Sequence, residues 1–122
     1  MIDLERILKA EPTLTPYGIE LTQTNEKYDA DYLQQIEICI DWLKDKPISQ
    51  KFNYHSTSYG IKHKIERELD VYIANGCLIA AIIYLGIPYK RIPNSPNIYV
   101  AIEEKVLSKN DPNRARVGFE WA

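Results

Sequence analysis

The ten residues from Gly76 to Leu85, GCLIAAIIYL, carry no charge. A helix that is apolar on every side has no face to offer water and belongs inside a core. Ala80 and Ala81 would let a neighbouring element approach it closely. The run falls far short of the ~20 apolar residues that cross a bilayer. The rest of the chain must therefore supply elements that surround this helix. Asn75 is placed to cap its start, and Gly86 to end it in the left-handed conformation. Burial of Ala80, Ile82 and Ile83 is the sharpest packing expectation.

The companions are legible in the spacing of apolar residues. Leu4, Ile7 and Leu8 share a face of a short helix over 2–10, which Pro12 ends. Tyr32, Leu33, Ile36, Cys39, Ile40 and Leu43 form a helical stripe over 29–45, widened by Ile38 and Trp42, with Asp29 as its cap. Ile61, Ile65 and Leu69 mark the seam of a third helix over 58–70. Its opposite side pairs Lys62 with Glu66 and Lys64 with Glu68, four residues apart, and reads as a solvated face. TPYG (15–18) is a turn, with a short strand at 18–23, and PISQKFNYHST (47–57) is a loop. PYKRI (88–92) and NIYVAI (97–102) flank Pro93-Asn94-Ser95-Pro96 as a β-hairpin. Glu103 to Ser108 reads as a helical turn, and the final VGFEWA as a docked end. The expectation is one α+β domain over 1–122: four helices arranged around the apolar helix at 76–85, with a C-terminal hairpin at 88–102 covering it.

No disulfide or metal site is expected. Cys39 and Cys77 lie inside apolar helical stretches, and two Cys with two His never fall at ligand spacing. The N-terminus, MIDLERILKAEP, lacks the apolar centre of a signal peptide, so a cytoplasmic protein is expected. Charge is unevenly spread. Residues 1–49 hold five bases and ten acids, 5 − 10 = −5, whereas residues 50–122 hold ten bases and seven acids, 10 − 7 = +3. No acid occurs from Gln50 to Ile65.

Three function classes remain open. Nucleic-acid binding would use the basic stretch 50–65, with Lys51, Lys62, Lys64, His55 and His63, together with Lys90 and Arg91 on the hairpin; Tyr54 and Tyr59 could stack on unpaired bases. A helix-turn-helix with its turn at Gly76 is disfavoured. Tyr72 is bulky where that turn wants a small side chain, and CLIAAIIYL offers nothing that reads a base edge. A small enzyme would rely on His63, with Glu66 orienting its ring and Tyr59, Arg67, Ser56 and Ser58 nearby. No nucleophile, phosphate-loop or zinc motif accompanies these residues, so no cofactor is expected. An alternative is structural: His63 or Asn75 bonding the backbone near 73–76. A protein-binding module would draw on Tyr72, Tyr84, Tyr89, Tyr99, Phe119 and Trp121 as anchors, with the hairpin edge offering a homodimer or a partner strand a place to pair.

The segments S-Y-G-I-K-H-x-x-E (58–66), Y-I-A-N-G-x-x-I-A-A (72–81) and P-N-x-Y (96–99) resemble a family of small uncharacterised proteins from bacteria, phages and plasmids. Ala74 stands where that pattern has Ser. The resemblance spans about half of the chain, Ser56 to Ala101, and brings no activity with it. It implies an origin on mobile genomes, where small acidic proteins bind and block host machinery. It also marks Tyr59, Lys62, His63, Glu66, Asn75, Gly76 and Asn97. The expectation is a non-enzymatic regulatory protein, an inhibitor that binds a host protein.

Overall fold

The computed structural model describes residues 3–20, 28–52, 54 and 56–103. The expectations for His55, for the end of the 18–23 strand, and for residues 104–122, Phe119 and Trp121 among them, lie outside these. Four helices and two antiparallel hairpins follow one another: α1 (Leu4–Ala10), β1 (Leu14–Thr15), β2 (Gly18–Ile19), α2 (Ala30–Leu43), α3 (Ser58–Leu69), α4 (Asn75–Tyr84), β3 (Tyr89–Arg91) and β4 (Ile98–Val100). The chain is an α+β protein with a C-terminal hairpin. Among the described residues, no helix is long and apolar enough to cross a membrane.

Helix α4 is the core, as its composition requires: every residue from Asn75 to Ile82 is buried. Ile83 is only partly covered. Helix α2 packs against α4 most extensively, through Ile36, Cys39, Trp42 and Leu43, and the Asp29 carboxylate caps it by accepting the Tyr32 N–H at 3.0 Å. Gly86 closes α4 at φ 73°. The hairpin lying against α4 is the N-terminal one, β1–β2, whereas the main helix contact of β4 is with α3. This corrects the expected cover. It arises because Gly76 lets the backbone of the 15–18 turn touch the helix.

The contact at Gly76 is very close. A Cβ there would sit 1.7 Å from the Thr15 carbonyl oxygen, and the Gly76 N–H donates to Pro16 O at 2.9 Å. Asn75 does not cap α4; Ala74 occupies that position with no side-chain bond. The Asn75 amide instead donates to Asn97 Oδ1 at 2.9 Å, with Tyr17 O and Pro96 O each at 3.4 Å. Pro96 O also accepts the Ile19 N–H at 3.0 Å. Asn75 and Gly76 thus tie together a turn and a hairpin that are remote in sequence. Helix α4 needs no side-chain cap there because the Pro16 carbonyl takes one of its free donors.

Segment 47–57 is more than a loop. Ile48 bridges to Ile102 and Thr57 to Tyr99, while Ser58 Oγ accepts the Ile98 N–H at 3.1 Å. Strand β4 is therefore engaged on both sides, and among the described residues the edge left for strand pairing at this hairpin is that of β3.

Candidate functional site

Spacing along α3 gathers one cluster. Tyr59 and His63, four apart, meet edge to face with ring centroids 4.4 Å apart. Lys62 Nζ lies 3.0 Å from Glu66 Oε2, and His63 Nδ1 lies 2.9 Å from Glu66 Oε1. The ammonium sits against two rings, 5.6 Å from the centroid of Tyr59 and 5.1 Å from that of Tyr72. Glu66 also accepts the Ile73 N–H at 3.0 Å. Beside it, Gln35 of α2 accepts the Ala74 N–H at 2.7 Å. The backbone near 73–76 is therefore held by Glu66 and Gln35, not by His63 or Asn75 as the sequence suggested.

Nor is this a solvated face. Lys62 is 7% exposed and Lys64 4%. Each lysine reaches a carboxylate one turn on, and each carboxylate is anchored a second time: Glu66 by Ile73, and Glu68 by the Trp42 indole N–H at 3.1 Å. Burial alone would raise the Glu66 carboxyl pKa; the Ile73 N–H, Lys62 and His63 outweigh it and hold the group below its ordinary value. Glu68 is held low in the same way, by Trp42 and Lys64 against burial. The expected seam is also shorter, since Leu69 is 44% exposed at the end of α3.

Outside this anchored layer the surface is open. Tyr59 is 52% exposed and Tyr72 66%. His63, Glu66, Arg67, Asp70, Val71 and Tyr72 line a shallow concavity of about 530 Å³. Asp70 turns the chain there in the left-handed conformation, φ 54°, and its N–H closes α3 on Glu66 O at 2.8 Å. Asp70 and Val71 were missed from sequence. The available signal was an Asp at a helix end, which tolerates this conformation better than most residues.

The remaining sequence candidates belong elsewhere. Asn75 and Asn97 bond to each other at the buried junction. Arg91 lies 3.9 Å from Glu11, which also accepts the Tyr89 hydroxyl. Lys90 stands 5.7 Å over the Tyr54 ring, whose other neighbours are Tyr99, with centroids 4.8 Å apart, and Phe52, at 6.4 Å. Ser58 is fully buried and holds the hairpin, so it offers no nucleophile to His63. Cys39 and Cys77 are free, buried thiols; burial pushes the Cys77 pKa up to about 12 and that of Cys39 up as well. Among the described residues no group of three or more His, Cys, Asp or Glu is arranged to hold a metal ion. Comparison with known protein families, curated proteins and solved structures finds no match.

Proposed function

We propose that this chain is a non-enzymatic interaction protein, an inhibitor from a mobile element, which binds a host protein through the outer face of α3 and the turn after it. The observation that supports this most is the pairing of two largely exposed tyrosines, Tyr59 and Tyr72, with a buried ionic layer beneath them. Rigid aromatic side chains bury large area on binding at small entropic cost, which is why they anchor interfaces. The family resemblance falls on the same face, at Tyr59, Lys62, His63 and Glu66.

Affinity capture from a bacterial lysate tests this with three baits. A genuine partner is retained by the wild type and by Tyr17→Ala, which alters an exposed tyrosine elsewhere, and is lost by the Tyr59→Ala/Tyr72→Ala double variant. Equal retention by all three baits, or none by the wild type, overturns the reading.

A second reading is nucleic-acid binding through Phe52, Tyr54, Tyr99 and Lys90, favoured by the lysine set over exposed Tyr54 beside a second ring. Lys62 and Lys64, both buried and paired, add little to such a surface. A mobility-shift titration at two salt concentrations separates the two readings, because phosphate contacts weaken steeply with salt.

A further inference from the structure

The chemistry of the concavity narrows what it can receive. Glu66 is held as a carboxylate, which only accepts hydrogen bonds, so the His63 Nδ1 facing it at 2.9 Å carries the proton. No described hydrogen bond or ion pair engages the Asp70 carboxylate, which is an acceptor. The same lining includes the Tyr72 ring, which already takes the Lys62 ammonium on one face and remains two thirds exposed. Lys62 is matched by Glu66, and Arg67 has an interaction of its own. An open carboxylate in the same concavity as an exposed aromatic face suits a planar cation with several donors. A guanidinium has that form, pairing with carboxylate in a fork and stacking on rings, whereas an ammonium is a single point of charge.

We propose that this concavity is a receptor for an arginine side chain of a partner protein, the guanidinium stacking on Tyr72 and donating to the Asp70 carboxylate. The proposal rests on the docking face argued above and names what that face recognises.

The test is an NMR titration with N-acetyl-arginine amide as probe, to concentrations on the order of 10 mM. The expected result is movement of the Asp70, Val71 and Tyr72 amides and the His63 ring, with affinity falling about tenfold in Asp70→Asn. Asn keeps the left-handed backbone accessible, so that variant removes the charge and spares the fold. Equal shifts from N-acetyl-glutamine amide, or unchanged binding by Asp70→Asn, overturn the proposal. A captured partner lost by Tyr59→Ala/Tyr72→Ala yet retained by Asp70→Asn overturns it too, while leaving the docking face standing.

Discussion

The junction at the start of α4 and the outer face of α3 are both polar, and both fall in the stretches that look distinctive in sequence. They are built in opposite ways. At the junction, backbone meets backbone with no room for a methyl group, and the Asn75 side chain is spent on three acceptors from two other segments. On α3 the polar groups satisfy one another within two turns of a single helix and the following turn, and the aromatic rings are left to water. A conspicuous motif residue can thus serve assembly or recognition, and the span of its contacts tells the two apart.

Substitutions can break this contrast. The largest effect is expected for Gly76→Ala, whose new methyl would collide with the Thr15 carbonyl; a loss of about 3 kcal/mol or more in a denaturant titration fits an overpacked site that cannot relax. A tolerated alanine would mean that the turn does not rest on the helix. Glu66→Gln is next, at about 2 kcal/mol at pH 7, because Lys62 loses its counter-charge while largely buried. Its pH signature is specific. The folded carboxyl titrates below its unfolded value of ~4.3, so its contribution is complete above that value and is lost as pH falls through the folded one. The Tm of the wild type should therefore drop more steeply than that of the variant from pH 5 downward.

Asn75→Ala should cost about 1–2 kcal/mol, since Asn97 Oδ1 loses its donor in a covered site. Partner capture by the folded protein should be unchanged. The smallest effect on stability belongs to Tyr72→Ala, about 0.5 kcal/mol or less in thermal melts, as for surface substitutions in general. A Tyr72→Ala protein that unfolds, or an Asn75→Ala protein that folds but no longer binds, would reverse the roles assigned to the two regions.

The helices were legible because their signals are local. The stripe of α2, the Asp29 cap and the uniform apolarity of α4 need no knowledge of the rest of the chain. The C-terminal hairpin was legible for the same reason, with two β-prone runs around a proline-rich turn. What escaped was set by distance along the chain. Asn75 is 58 residues from Tyr17 and 22 from Asn97, so a residue that looks like a cap is drawn into a different duty. The i,i+4 pairs alone make the lysines at 62 and 64 look solvated. Lys62 lies against the rings of Tyr59 and Tyr72, and the carboxylates that the two lysines meet have second anchors, none of which periodicity encodes. For the site, Tyr59, Lys62, His63, Glu66 and Arg67 were visible together on one helix face. Asp70 and Val71 joined them only because the chain turns left-handed at Asp70.

The Ile73 N–H has one further consequence. This amide leans on a side chain, and the same carboxylate holds the imidazole of His63. Its hydrogen–deuterium exchange therefore reads how often Glu66 lets go, a local opening separate from the unfolding of the whole molecule. The protein carries its own gauge, one amide proton whose lifetime should lengthen when the concavity is filled and shorten when Glu66 is drawn away.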